Sequence, residues 1–247
     1  MPREKLTYTQ KQCVRSAGKL MQQTGMLTPG ARIGVAVSGG VDSFTLLKVL
    51  LIRKRIVPIP FELFILHVDP GFGGDFEPLL IFARENGVAA HLERTDHGPR
   101  AHSEENRKNS PCFYCSRLRR KRLFDLAAHY GLTHLAFGHT ADDLVSTFFM
   151  NLFQAGRVDG MAMRETFFRG TLEIIRPLLW LRKRTILRAA KAWELPVWSN
   201  ECPSADSSNR TNWERKFHEE WGLDKRAQQN VYNALRRVQL DIAIKRN

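Results

Sequence analysis

The chain has 247 residues, 43% of them hydrophobic, with four cysteines and a formal net charge of +13. That length and apolar share suit one large domain with its own core and exclude a disordered chain; no run of about 18 apolar residues offers a membrane span, and the polar N-terminus lacks an apolar signal core. The expectation is a cytoplasmic protein without disulfide staples, whose basic surface meets a polyanion, nucleic acid ahead of membrane.

Residues 1–31 read as a helix and a turn: Val14, Ala17, Leu20, Met21 and Met26 recur at roughly helical spacing, and Thr28-Pro29-Gly30 ends the segment. Cys13 is an ordinary small residue of that helix. Residues 33–37 are a short apolar run expected to form a buried strand, and 44–52 a helix. Residues 61–68 predict a second strand closing in Asp69-Pro70-Gly71, 76–85 a helix, and 89–93 a third strand. The polar stretch 95–110 reads as a mobile loop. Helix returns over 117–130, strand over 135–138, and a strongly apolar helix over 142–153. Residues 171–175 predict another strand and 183–193 another helix. From Trp213 onward the chain is helical, with Ala227, Val231, Leu235, Val238 and Ile242 on one stripe.

Strands alternating with helices predict an α/β fold, a parallel sheet with helices on both faces, extended by C-terminal helices. The division expected is 1–31, an N-terminal helical segment; 32–200, the main domain; and 201–247, a C-terminal helical segment. Ligands in such sheets bind beyond the carboxyl ends of the strands. That rule marks residues 38–43, 69–74 and 138–143, and all three stretches carry unusual polar chemistry.

Ser38-Gly39-Gly40-Val41-Asp42-Ser43 lies between a strand and a helix. Its glycines let amides face a ligand, the helix start adds unpaired N–H donors and the positive dipole end, and the two serines add hydroxyls. Together these suit a phosphate or pyrophosphate. Walker, Rossmann and nucleophile-elbow spacings are all absent. A carboxylate, Asp42, inside an anion site makes sense with Mg²⁺ bridging it to the phosphates.

Pro111-Cys112-Phe113-Tyr114-Cys115 places two thiols at a helix start, where the dipole and following arginines are expected to lower their pKa values. A redox dithiol, a zinc site completed by Cys202 and by His97 or His102, and an iron–sulfur cluster are the alternatives. Arg117, Arg119, Arg120, Lys121 and Arg122 form one basic helix; Arg182, Lys183, Arg184 and Arg188 form another, and Arg236 and Arg237 a third patch. Arg117, Arg119, Arg120, Arg122, Lys183 and Arg184 are the candidate RNA contacts, with Arg119 alternatively turned toward the nucleotide. Trp180, Trp193 and Trp198 suit core packing better than base stacking.

The hexad at 38–43 resembles the PP-loop of the N-type ATP pyrophosphatases, and Gly138-His139-Thr140-Ala141-Asp142-Asp143 is similar to their second motif. From residue 33 to 202 the chain resembles the tRNA 2-thiocytidine synthetases of that class. Asp69-Pro70-Gly71-Phe72, residues 112–120, the helix after Asp143, and Arg176-Pro177-Leu178 carry the likeness. The resemblance implies the adenine nucleotide alpha hydrolase-like fold. It also implies ATP cleavage between the α and β phosphates, adenylation of a cytidine oxygen at anticodon-loop position 32, and replacement of that oxygen by sulfur.

It further implies ATP-binding roles for Ser38, Gly39, Gly40, Val41, Asp42, Ser43, Asp69, Gly138 and His139, and catalytic roles for Asp42, Asp142, Asp143, Cys112 and Cys115. Cys112, Cys115 and Cys202 match the three ligands of the family's 4Fe–4S cluster. The partners implied are tRNA, a sulfur donor such as a cysteine desulfurase, and a second copy of the chain in a homodimer. Two positions depart from the pattern: Val41 stands where lysine is usual, and Cys202 stands alone where a second C-x-x-C is usual. The alternative is a lysidine-type ligase or another adenylating tRNA enzyme with structural zinc at the cysteines.

Overall fold

The computed structural model describes residues 5–198, 201–204 and 209–245. Helix α1 (Tyr8–Gln23) leads into β1 (Ala31–Ala36), after which helices and strands alternate. They are α2 (Val41–Ile56), β2 (Phe61–Asp69), α3 (Glu77–Glu85), β3 (Ala89–Arg94), α4 (His97–Ala101), α5 (Pro111–His129), β4 (His134–Ala136) and α6 (Ala141–Ala155). A hairpin of β5 (Arg164–Phe167) and β6 (Leu172–Ile175) follows, then α7 (Lys183–Ala192), α8 (Asn209–Arg215) and α9 (Lys225–Lys245).

The strands form one sheet in the order β3-β2-β1-β4-β6-β5, parallel except for β5 at the edge. The chain steps outward from β1 to β2 and β3, then crosses back to lay β4 on the other flank of β1. Strand order reverses between β1 and β4, so their carboxyl ends open a crevice where the two connecting loops diverge. The fold class expected from the sequence is the one found.

Helix α2 is apolar on every side, with Phe44, Leu46, Leu47, Val49 and Leu50 fully buried. Such a helix needs cover all round; the sheet supplies one wall, and α1 and α7 supply the other. On the opposite face, Leu123 and Leu126 of α5 pack on Leu66, Val68 and Leu135. The last helices are not a loose appendage. Phe217, Tyr232 and Leu235 are buried in the main core, and Phe153 of α6 stacks on Trp213 at 5.2 Å. Among the described residues no helix is long and apolar enough to cross a membrane.

The structure departs from the sequence reading in three places. The stretch 95–110, expected to be a mobile loop, contains α4 and is tied down: the Thr95 amide donates to the Asp69 carbonyl at 2.9 Å and the Gly98 amide to that of Pro70 at 2.6 Å. Helix α5 begins at Pro111 rather than 117, because Ser110 in extended conformation precedes a proline that needs no amide partner at the first helical position. The edge strand β5 was not anticipated. It is fastened by buried Arg176, which donates to Glu165 at 2.7 Å and to the Ala162 carbonyl at 2.5 Å.

Candidate nucleotide and cysteine site

The crevice between β1 and β4 is lined by Ser38 from the β1–α2 loop, Asp42 and Ser43 from the first turn of α2, His139 from the β4–α6 loop, Asp143 from the first turn of α6, and Arg119 from α5. The first turn of α2 has no side-chain cap, so its amides and dipole face this space. Ser43 braces the loop: its hydroxyl donates to the Gly40 carbonyl at 2.8 Å and accepts the Ser38 amide at 3.1 Å. Gly39 has φ of +89° and sits directly on Trp198, whose amide donates to the Gly39 carbonyl at 3.0 Å. A Cβ on Gly39 would lie 2.3 Å from the indole. Gly138 brings the second loop against the first, since a Cβ there would lie 2.9 Å from the Asp42 carbonyl carbon. Trp198 also meets Phe44 and His67 edge-on, so it serves as the floor of the loop.

Asp42 pairs with the Lys183 ammonium at the start of α7, while its Oδ1 is buried without a hydrogen-bond partner. Burial raises the Asp42 pKa, Lys183 lowers it, Asp143 and Asp142 raise it again, and the balance is upward from 3.8. Asp143 lines the crevice and accepts the Thr140 amide at 2.8 Å in a capping box that starts α6.

Asp142, expected to act beside Asp143, faces away. Its Oδ1 accepts the Tyr232 hydroxyl at 2.6 Å and lies 3.1 Å from His218 Nε2; its Oδ2 accepts the Lys183 amide at 2.6 Å. Burial opposes its ionisation, but the hydrogen bonds from His218, Tyr232 and the Lys183 amide prevail and hold its pKa below the ordinary value. Asp69, expected near the adenosine, organises its own turn by accepting the Gly71 amide at 2.9 Å and Arg94 Nε at 3.0 Å.

A chain of contacts therefore runs from α9 to the first turn of α2: Tyr232 to Asp142, Asp142 to the Lys183 backbone, and the Lys183 side chain to Asp42. Asp142, Glu214 and His218 bring three potential ligand atoms within 4.8 Å of one another, the one such group among the described residues. Replacing Tyr232 with phenylalanine removes a buried hydrogen bond to a charged carboxylate. A loss of about 1.5–3 kcal/mol is expected, read from the shift of the urea midpoint.

Cys112 and Cys115 lie in the first turn of α5, and Cys202 approaches from the segment 201–204. Cys115 interacts electrostatically with both other thiols, so the three share one neighbourhood. The Cys112 thiol donates to the Ser204 carbonyl at 3.7 Å, and His102 Nε2 lies 2.8 Å from Ser204 Oγ. The expected lowering of the thiol pKa is not found at Cys115. Burial raises it, against the pull of Arg119. His102, considered as a zinc ligand, has both ring nitrogens engaged, by Ser204 and by the Gly98 carbonyl at 2.9 Å.

The candidate RNA contacts divide. Arg122 forks onto Glu93 at 2.6 and 2.8 Å, Lys183 is held by Asp42, and Arg119 turns into the crevice. Carboxylates thus occupy two of the six, while Arg117, Arg120 and Arg184 are exposed. Sequence reasoning missed Tyr232 and His218 altogether, and no local signal marks them.

The family model described as a PP-loop domain matches residues 9–220. The tRNA-cytidine(32) 2-sulfurtransferase of Geobacter sulfurreducens is 37% identical over 194 residues, which are 78% of this chain and 76% of that one. Its counterpart in Xanthomonas euvesicatoria pv. vesicatoria is 34% identical over 231 residues, 87% and 75% of the two chains. The U34-tRNA thiolase NcsA from Methanococcus maripaludis, solved with its 4Fe–4S cluster, has the same fold. The TM-score is 0.73 at 19% identity, over 95% of this chain and 84% of that one.

Proposed function

The chain belongs to the PP-loop family and to its tRNA-cytidine 2-sulfurtransferase branch, and on that premise we propose that it adenylates a tRNA cytidine, at position 32, and exchanges the activated oxygen for sulfur. The observation that carries this reading is the geometry of α5. Cys115 and Arg119 are four residues apart, one helical turn, so they share a face about 6 Å apart along the axis. Arg119 lines the nucleotide crevice and Cys115 lies among the three thiols. One rigid element thus joins the place where ATP would be cleaved to the place from which sulfur would come.

The amides at the start of α2 receive the β and γ phosphates of ATP. The cytidine O2 attacks the α-phosphorus; the bond from that phosphorus to the bridging oxygen breaks and pyrophosphate leaves. Arg119, at the crevice wall, offsets charge that builds on the α-phosphate oxygens. Sulfur at the sulfide level then forms a bond to C2 and AMP departs with the former O2, so no net oxidation occurs. Asp42, with its unpartnered buried oxygen, and Asp143 are the residues that would hold Mg²⁺, and the chemistry it would supply is charge neutralisation of the diphosphate. Cys112, Cys115 and Cys202 would hold a 4Fe–4S cluster, whose chemistry when bound would be to present sulfide-level sulfur to the activated base; persulfide sulfur from a donor such as a cysteine desulfurase would need two electrons from a thiol reductant to reach that level. Lys183, paired with Asp42, places its ammonium at the same crevice, where it would offset charge on the diphosphate.

ATP–pyrophosphate exchange measured with and without tRNA tests the adenylation. Exchange that depends on tRNA and falls by about 10²–10³ in Asp42→Ala is expected; none with Mg²⁺ and tRNA present would count against it. The working form of Asp42 is ionised and its pKa is raised, so the rate falls as the pH drops through a value above 3.8. Lys183 pulls that pKa down, so Lys183→Met moves the acid limb of the profile to higher pH.

A further inference from the structure

Helix α1 contains no aspartate or glutamate, although acidic residues favour a first helical turn. Instead Lys11, Arg15 and Lys19 recur every four residues on one exposed face, a spacing at which like charges destabilise an isolated helix. These three line a groove with Tyr8, Trp180 and Arg236. Tyr8 is 80% exposed, and the Arg236 guanidinium lies over the Trp180 ring at 4.5 Å. No carboxylate lines this groove, and among the described residues none of its four cations has an acidic partner. Four cations beside two aromatic rings, with no carboxylate in the described lining, fit a phosphate backbone with sugars or bases against the rings.

The groove also lies where a long nucleic acid would need support. The α1 residues Tyr8, Lys11, Arg15 and Lys19 share the groove with Trp180, and so reach the carboxyl edge of the sheet that bears the crevice. Trp180 follows β6 at that edge. Three residues later comes Lys183, in contact with Asp42, and between them Arg182 lies over Tyr232 at 4.3 Å.

We propose that the groove between α1, Trp180 and Arg236 is a docking surface for the body of the substrate tRNA. It would hold the backbone away from the reacting base while the anticodon loop enters the crevice. The proposal rests on the tRNA-thiolating reading and adds a surface that neither the motifs nor the cysteines define.

The test compares two charge-matched triple variants of the full chain. One is Lys11→Ala/Arg15→Ala/Lys19→Ala. The other is Lys54→Ala/Arg55→Ala/Arg84→Ala, which removes three exposed cations at the opposite edge of the sheet, where α2 and α3 end. Binding of a tRNA transcript is followed by fluorescence anisotropy across a salt series, and KM and kcat for thiolation are measured. The α1 variant should bind roughly 10–100-fold more weakly near physiological salt, with a salt slope smaller by about 2–3. Its KM should rise and its kcat should hold, while the control stays close to the parent. Equal losses in both variants, or no loss in the α1 variant, would overturn the surface and leave thiolation standing. A parent protein that binds no tRNA would overturn the tRNA reading itself, and the surface with it.

Discussion

Cys202→Ser is expected to abolish thiolation and to leave ATP–pyrophosphate exchange at the parent level. The two activities separate because they rest on different segments. The loop between β1 and α2 is built by those two elements and the contact with Gly138, whereas Cys202 is the electrostatic neighbour of Cys115. Cys202 is half-buried and outside the hydrophobic core, so serine leaves the fold in place. Its thiol stands alone in the late segment, so no nearby cysteine can replace it. Thionucleoside should fall below detection, and iron and sulfide bound after anaerobic reconstitution should fall with it. Full cluster content and activity in Cys202→Ser would place the third ligand elsewhere.

Gly39→Ala and Gly73→Ala form a matched pair with opposite outcomes. Both glycines hold left-handed backbone, φ +89° and +88°, so alanine carries a similar backbone strain at each, of order 1–3 kcal/mol. At Gly73 nothing lies within 4 Å of the new Cβ. At Gly39 that Cβ falls 2.3 Å from Trp198 Cε2, and the indole cannot retreat because Phe44 and His67 pack against it. The phosphate-facing loop must therefore move. A displacement near 1 Å at a positioning element costs about 10² in rate, so Gly39→Ala should lose at least that much of its exchange activity. Gly73→Ala should unfold at slightly lower denaturant and keep its rate. Equal rates in the two variants would mean that Trp198 does not set the loop.

The sheet and both motif loops were legible because each motif is a small or polar turn between apolar runs, and that contrast survives any packing. The alternation of strands and helices likewise fixed the class of fold. The periodic run at 117–130 marks only the body of helix α5; its start is set by Ser110-Pro111, ahead of the two thiols. Strand β5 was hidden because four residues, Arg164–Phe167, alternate too briefly to show a period, and an edge strand needs little apolar character.

The division of labour between Asp142 and Asp143 could not be read at all. Adjacent carboxylates look alike in a sequence, but one helical step of about 100° turns one into the crevice and the other toward α9. The partners that decide this are remote: Tyr232 lies 90 residues from Asp142, and Lys183 lies 141 from Asp42. Lys183 read as an RNA contact because nothing local distinguishes a cation aimed at phosphate from one aimed at a buried carboxylate. The rise in the Cys115 pKa was missed for a similar reason. The helix dipole and Arg119 are visible in the sequence, and the burial that outweighs them is not.

The most direct measurement is a single reconstituted reaction. Protein loaded anaerobically with iron and sulfide is mixed with ATP, Mg²⁺, sulfide and a cytidine-32 tRNA transcript, and the nucleosides and nucleotides are resolved by mass spectrometry. One 2-thiocytidine should appear for each AMP and pyrophosphate released, with every product absent in Asp42→Ala. Release of ADP and phosphate, or a cytidine that gains an amino acid instead of sulfur, would contradict the account.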